Sequence, residues 1–137
     1  MSLFNVFDVS GTALHAQTLR LNTTASNMAN ANTASSSIEQ TYRARHPIFA
    51  PMLDEFGEQQ KGVGVRVLGI VESQAPLNRE YNPEHPLAGE DGYVSLPNVN
   101  VAEEMANMIS ASRSYQSNIE LMNSAKQMLL RTISLGQ

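Results

Sequence analysis

The sequence predicts a mainly α-helical fold. Long N- and C-terminal helices pack together as a coiled-coil-like core, with a small β-rich and irregular insert between them. Three observations carry this prediction: an apolar 3/4 rhythm over residues 101–133, a weaker seven-residue repeat over residues 7–28, and the confinement of all six prolines to residues 47–97. Such a rhythm marks one face of a helix, whereas proline interrupts helices. We therefore expect residues 1–33 and 100–137 to form one core domain and residues 34–99 to form the insert.

The first helix is predicted over about residues 3–33. Phe7, Leu14, Leu21 and Met28 follow one another at intervals of seven and so share one helix face. Small and polar residues separate them, so the apolar stripe is narrow. Ser10 is a predicted N-cap. The serines and threonines that follow residue 32 favour local side-chain bonds over continuation of the helix.

Four asparagines, Asn22, Asn27, Asn30 and Asn32, lie in the stretch NTTASNMANANTASS near the end of this helix. Asparagine is a poor residue inside a helix, because its side chain competes for backbone hydrogen bonds. We expect these amides to bond between neighbouring chains, where buried polar groups fix the register of packing. The alternative is that they are surface residues of a fraying terminus.

The insert is predicted to hold one clear strand. Valines alternate with other residues in GVGVRVLGIVES, which predicts a strand over residues 63–72, and TYRARHPIF predicts a second short strand near residues 41–49. The spacing of proline and glycine over residues 75–98 leaves no room for a helix, so this part is predicted to be irregular.

The last helix, over about residues 100–135, has the clearest pattern. Asn100 is its predicted N-cap. At about 1.5 Å per residue the helix spans roughly 50 Å, against roughly 35 Å for the first helix, so part of its stripe must find a partner in another molecule. The seam positions are Val101, Met105, Met108, Ser112, Tyr115, Ile119, Met122, Lys126, Leu129 and Ile133.

Composition and motifs exclude several classes of function. A net charge of −4 and no basic stripe argue against nucleic-acid binding. No apolar run is long enough to insert into a membrane, and the first residues lack the basic start of a cleaved signal peptide. There is no cysteine, and the three histidines lie in different parts of the chain, so no metal, cofactor or catalytic set is predicted. An enzyme is therefore not expected.

Three stretches carry a resemblance to a known family. They are LNTTASNMANANT at residues 21–33, YNPEHPLAGEDGYVSLPNVNV with the preceding ESQAP, and ISASRSYQSNIELMNSAKQMLLRTISLGQ at the C-terminus. Together they resemble the proximal rod proteins of the bacterial flagellar basal body, of the FlgC type, over essentially the whole chain. Gly89 stands where members often carry Asp.

The resemblance implies a structural subunit whose terminal helices line the core of a helical tube, with the insert outside. Such subunits are exported unfolded by the flagellar type III apparatus, without a cleaved signal peptide. They polymerise into the periplasmic drive shaft, which transmits torque and encloses the export channel. Implied partners are copies of the chain, other rod proteins, basal-body adaptor and membrane-ring components, and the export apparatus. The alternative is a soluble helical adaptor or export chaperone that binds coiled-coil segments of flagellar proteins.

Two sets of site residues follow. The predicted subunit interface consists of Leu14, Leu21, Asn27, Met28, Asn30, Asn32, Met105, Met108, Tyr115, Ile119, Met122, Leu129 and Ile133. The resemblance adds a family-motif loop that consists of Tyr81, Pro83, His85, Pro86, Gly92, Tyr93, Pro97 and Asn98.

Overall fold

The structure, a computed structural model, describes residues 3–52 and 63–135. Within these ranges the elements in chain order are α1 (Leu3–Asn30), β1 (Arg45–Pro51), β2 (Val65–Glu72), β3 (Asn78–Tyr81), β4 (Tyr93–Leu96) and α2 (Val101–Leu135). The fold is mainly helical with a β-containing insert, as the sequence predicts.

The two helices pack against each other in antiparallel directions. The side-chain amide nitrogen of Asn27, near the end of α1, lies 3.1 Å from a carboxylate oxygen of Glu104, in the first turn of α2. Seven residues earlier in α1, the guanidinium of Arg20 donates to Asn107, further along α2, at 2.8 Å. From this crossing point α1 extends back over about 36 Å and α2 onward over about 46 Å. The last turns of α2 therefore reach beyond α1, and Leu135 is 87% exposed.

The fully buried positions in the contact between the helices are occupied by small and polar residues. Among the described side chains of the two helices, the buried apolar ones are alanines: Ala16 in α1, and Ala111 and Ala125 in α2. Large aliphatic side chains of α2, such as Ile109 and Leu130, are exposed instead. Alanine lets two helix backbones approach closely, but it buries little apolar surface. The helix pair therefore gains little hydrophobic stabilisation from its own interior.

The start of α1 differs from the prediction, whereas the start of α2 agrees with it. Ser10 is not an N-cap, because the helix begins at Leu3 and Ser10 is buried in its interior. The partly buried residues that precede it pack as helix, and tertiary packing overrides the local preference of serine. At α2, the side-chain oxygen of Asn100 accepts a bond from the backbone N–H of Ala102 at 3.1 Å, so the predicted cap is confirmed.

β1 and β2 form an antiparallel hairpin that lies on α1, which confirms the two predicted strands with shifted bounds. The pairing register shifts between Ile48 and Phe49. The backbone N–H of Val65 donates to the hydroxyl of Thr12 at 3.0 Å. A Cβ built on Gly64 would lie 2.8 Å from that hydroxyl, so the close approach of β2 to α1 requires glycine there.

β3 and β4 correct the prediction that residues 75–98 are irregular. They pair as a second antiparallel two-stranded sheet, with Tyr81 opposite Tyr93. Each strand has only four residues, too few for an alternating pattern to stand out among prolines and glycines. Long-range bonds stabilise the sheet: Ser35 and Ser95 exchange backbone hydrogen bonds at 3.0 and 3.2 Å.

Candidate functional site

Helix α2 presents two different faces. The residues on the face toward α1 follow the predicted 3/4 spacing. Every second position of this face, however, is a small or polar residue that the predicted seam does not contain. Met108, Tyr115, Met122 and Leu129 of the predicted seam are partly buried on this face. The positions between them are Glu104, Ala111, Asn118 and Ala125, which replace the predicted Met105, Ser112, Ile119 and Lys126.

The other face is an apolar flank of α2, which we define as Val101, Met105, Ile109, Ile119, Leu130 and Ile133. All six side chains are exposed. At 100° per residue most of them lie about 80–160° around the helix from Ala111, so α1 does not cover them. Ile133 lies closer to the seam, but beyond the reach of α1, and is 57% exposed. The predicted interface residues Met105, Ile119 and Ile133 therefore belong to a surface without a partner in the described part of the chain.

On α1, the predicted interface residues Leu14, Leu21 and Met28 are partly buried. They lie along one stripe of the helix, and each side chain remains partly accessible to solvent in the single subunit. Their predicted role toward other subunits stays a prediction.

Asn27 has its partners inside the chain. Its side chain is 0% exposed and its amide nitrogen donates to the backbone oxygen of Arg45 at 2.8 Å and to Glu104 at 3.1 Å. Its amide oxygen accepts from the hydroxyl of Tyr42 and from the backbone N–H of Arg45, both at 2.9 Å. The structure thus replaces the predicted bond to a neighbouring chain. A saturated amide joins the end of α1, the start of β1 and the start of α2.

The other asparagines differ from Asn27. Asn30 is partly buried and its amide donates to the backbone oxygen of Ser26 at 2.8 Å, a bond within the same helix. Asn22 and Asn32 are exposed. Only Asn27 therefore accounts for a buried amide in this stretch, and the interface role of Asn30 and Asn32 stays a prediction.

Three buried polar atoms on the helices lack a partner among the described residues: the hydroxyl of Ser10, the side-chain oxygen of Gln17 and one carboxylate oxygen of Glu104. A buried polar group without a hydrogen bond costs about 1–3 kcal/mol. Together with the alanine interior, they indicate a helix pair of low intrinsic stability.

The family-motif loop joins the insert to α2. Asn98 accepts a bond from the backbone N–H of Ala44 at 2.8 Å and donates to the backbone oxygen of Ala75 at 2.9 Å. Pro97 is fully buried, and its backbone oxygen accepts from Asn78 at 3.1 Å. These two residues therefore hold two segments of the insert, at Ala44 and at residues 75–78, beside the start of α2.

Tyr81, Gly92 and Tyr93 form the exposed end of the same loop. The two tyrosine rings meet edge to face at 5.2 Å. The guanidinium of Arg79 lies 4.9 Å from the Tyr93 ring and pairs with Asp91. The backbone N–H of Tyr93 and then Arg79 hold the pKa of Asp91 below its ordinary value of 3.8. Stabilisation by this carboxylate is therefore complete above pH 3.8 and is lost as the pH falls through the lower folded pKa.

The remaining loop residues occupy the turn between β3 and β4. Pro83 and Pro86 are exposed, and one ring nitrogen of His85 accepts a bond from the backbone N–H of Leu87 at 3.1 Å. His85 thus orders the turn. A Cβ built on Gly89 would lie 2.8 Å from a carboxylate oxygen of Asp91, so glycine leaves that carboxylate room.

We expect Gly92→Ala to destabilise the subunit by about 1–3 kcal/mol. Gly92 has a φ of +74°, and a Cβ there would lie 2.8 Å from the Tyr81 ring. Gly11→Ala is the matched control, because nothing lies within 4 Å of its Cβ position inside α1. Urea unfolding of the purified variants should show a loss for Gly92→Ala and a gain of about 1 kcal/mol for Gly11→Ala. Equal stability of the two variants would contradict the strained turn.

Sequence reasoning missed the residues that hold the helices together. Glu104, Ala111 and Ala125 lie among a seven-residue repeat as regular as the apolar one, but a search for large apolar residues does not select them. Thr12, which joins β2 to α1, was also missed, because a threonine inside a helix gives no sign that it will accept a bond from a strand. The signal that could have found Glu104, Ala111 and Ala125 is a seven-residue repeat of alanines on one helix face in which some positions hold a glutamate or an asparagine.

Within residues 3–52 and 63–135, no group of three or more acidic or histidine side chains could hold a metal ion. No described helix has the length and hydropathy needed to cross a membrane.

Comparison with known proteins identifies the family. A family model described as "Flagella basal body rod protein" matches residues 7–34, and one described as "Flagellar basal body rod FlgEFG protein C-terminal" matches residues 90–135. A FlgC flagellar basal-body rod protein of Salmonella typhimurium is 50% identical over 137 residues, which is all of both chains. Proteins of the same description are 47% identical in Escherichia coli O6:H1, over all of both chains, and 37% identical in Borreliella burgdorferi, over all of this chain and 99% of the relative. The chain belongs to the FlgC family of flagellar basal-body rod proteins.

Proposed function

We propose that the chain is held in the rod by burial of the apolar flank of α2 against neighbouring rod subunits. As a member of its family the chain is a structural subunit of the flagellar basal-body rod and not an enzyme. The observation that carries the proposal is the distribution of side chains: alanines occupy the fully buried apolar positions of the contact between the helices, while every isoleucine of α2 and several of its leucines and methionines are exposed.

This distribution distinguishes a polymer subunit from a soluble adaptor. A protein that works as a free monomer places its large aliphatic side chains inside, and contiguous exposed apolar surface marks an interaction site. Here the exposed apolar residues of the flank recur along almost the whole of α2, from Val101 to Ile133, with polar residues such as Gln116 and Asn123 between them. A binder of single coiled-coil segments needs one groove, whereas a packed tube covers each helix along its length. The family relationship gives no support to the adaptor.

The location and mechanics belong to the same proposal. The antiparallel helix pair would lie along the wall of a periplasmic tube, with the insert outside, and would transmit torque while enclosing the export channel. Export would proceed through the type III apparatus without a cleaved signal, and a pair of low intrinsic stability suits passage as an unfolded chain. Partners would be copies of the chain, other rod proteins, and basal-body adaptor and membrane-ring components.

The test is Ile119→Asp, with Ser117→Asp as the matched control. Ile119 lies on the flank, whereas Ser117 is exposed about 200° away around the helix. A carboxylate buried without a partner in the subunit contact would cost several kcal/mol at each subunit. We expect Ile119→Asp to abolish rod formation and swimming, with the helicity of the purified subunit and its export unchanged.

Ser117→Asp should assemble and swim. Normal swimming by the Ile119→Asp variant would show that the flank is not a packed interface.

A further inference from the structure

The turn between β3 and β4 contains a chemically reactive pair of residues. Asp91–Gly92 is the one Asp-Gly pair in the sequence, and the sequence has no Asn-Gly pair. In an Asp-Gly pair the backbone nitrogen of glycine can attack the side-chain carboxyl carbon of aspartate, because glycine has no side chain to hinder the approach. The turn requires glycine here, since φ of Gly92 is +74° and a Cβ there would lie 2.8 Å from the Tyr81 ring. A larger, less reactive residue therefore does not fit after Asp91.

The reaction at such a pair exchanges only water. A bond forms between the Gly92 nitrogen and Cγ of Asp91, and one carboxyl oxygen leaves as water together with the proton of the amide. Water then opens the resulting succinimide ring. Opening at the side-chain carbonyl restores aspartate, whereas opening at the backbone carbonyl gives isoaspartate, in which the chain runs through the former side chain. The Asp91 side chain is more than half exposed, so water reaches it.

The folded turn opposes each partner of this reaction. The backbone N–H of Gly92 donates to the backbone oxygen of Gly89 at 2.9 Å, which holds the proton that the nucleophile must lose. One carboxylate oxygen of Asp91 accepts from the backbone N–H of Tyr93 at 3.3 Å, and the other pairs with Arg79. The Tyr93 N–H and then Arg79 hold the pKa of Asp91 below 3.8. The protonated carboxyl, which is the form that can lose water, is therefore scarce at neutral pH.

We infer that Asp91–Gly92 is a modification site that converts to isoaspartate when the hairpin opens, and that Arg79 suppresses the conversion in the folded subunit. The guanidinium of Arg79 also lies 4.9 Å from the Tyr93 ring, so it links the carboxylate to the strand that follows the turn. Isoaspartate adds one backbone atom to the turn, and the pairing of Tyr81 with Tyr93 leaves no place for it. Conversion would therefore damage the hairpin. The inference concerns the chemistry of the insert and does not depend on the role of α2.

The test compares rates of conversion in the purified full chain at neutral pH and physiological temperature. Peptide mapping with electron-transfer fragmentation distinguishes isoaspartate from aspartate at position 91. We expect the chain unfolded in guanidinium chloride to convert at least tenfold faster than the folded chain. Folded Arg79→Ala should convert severalfold faster than the folded wild type, whereas Arg79→Lys, which keeps the positive charge, should stay near the wild-type rate.

Three controls isolate the effect. Arg113→Ala removes an exposed arginine of α2, a helix without contacts to β3 or β4 among the described elements, and should convert at the wild-type rate. Asp91→Glu should not convert, because glutamate would have to close a larger ring. Asp8 precedes valine inside α1 and should stay unmodified in the same folded samples.

Equal rates in the folded and unfolded wild-type chains would overturn the inference. So would an Arg79→Ala variant that converts at the wild-type rate. Hydrogen exchange of the β4 amides reports whether the hairpin of Arg79→Ala stays paired. Faster conversion with these amides still protected supports the role of Arg79, whereas faster conversion with their protection lost would assign the suppression to strand pairing and overturn that role.

Discussion

Replacement of Asn27 by alanine should destabilise the free subunit by at least about 3 kcal/mol. The substitution leaves three partly or fully buried groups without a partner: the backbone N–H and C=O of Arg45, and a carboxylate oxygen of Glu104. The Tyr42 hydroxyl also loses its bond to Asn27 and keeps only a contact with the Ser26 hydroxyl at 3.3 Å. Each orphaned group costs about 1–3 kcal/mol, whereas the gain in helix propensity is below about 1 kcal/mol. Since whole domains are stable by about 5–15 kcal/mol, urea unfolding should show a large shift of the midpoint.

Two neighbouring asparagines serve as controls for Asn27. Asn22→Ala removes an exposed side chain from the same helix and should leave stability unchanged or slightly raised. Asn30→Ala removes one bond within the helix and should fall between the two. An Asn27→Ala variant that unfolds at the wild-type urea concentration would show that the junction does not stabilise the fold.

The second large effect is expected for Ala111→Leu. Ala111 is 0% exposed where α2 packs against α1, so three added carbons have no space. Overpacking of this kind costs about 1–3 kcal/mol and forces the helices apart. The displacement would be repeated in every subunit of the rod. We therefore expect lower stability of the free subunit together with loss of rods and of swimming.

Ala106→Leu, at an exposed site five residues earlier on α2, controls for helix propensity in the free subunit and should not destabilise it. Ala111→Ser, which adds one atom, should cost less than Ala111→Leu. Assembly of normal rods by the Ala111→Leu variant would contradict a tight contact between the helices.

Much of the fold follows from the sequence alone. The two helices, the first hairpin and the Asn100 cap all come from patterns between residues near one another in the chain, which is where sequence rules are strongest. The register of the helix contact does not follow, because the rule for a coiled coil selects large apolar residues and this subunit buries Ala111, Ala125 and Glu104. The apolar rhythm spans both faces of α2, because about half of its residues lie partly buried toward α1 and the others face outward from the subunit. The large apolar residues of α2 do not by themselves indicate whether a given side of the helix packs against α1 or against another molecule.

The site shows the same division between local and long-range information. An unusual density of asparagine singled out the stretch that contains Asn27, but its partners lie 15 to 77 residues away in the chain. Nothing in the local pattern predicts that Tyr42, Arg45 and Glu104 converge there. The strands β3 and β4 were missed for a related reason, because backbone bonds with Ser35 stabilise them from outside the segment.

The meeting of Asn27 with Glu104 has a consequence for how such proteins diversify. The chain leaves the helix pair at the end of α1 and returns to it at the start of α2, at nearly the same point. The helix pair therefore holds the two ends of the insert close together. The entropic cost of closing a longer insert between these two ends grows only slowly with the length of the insert. Segments of different size and shape can therefore be exchanged between these two ends without shifting one helix along the other. The helix pair can therefore stay constant, while the insert is the part of the chain whose length and structure can differ between relatives.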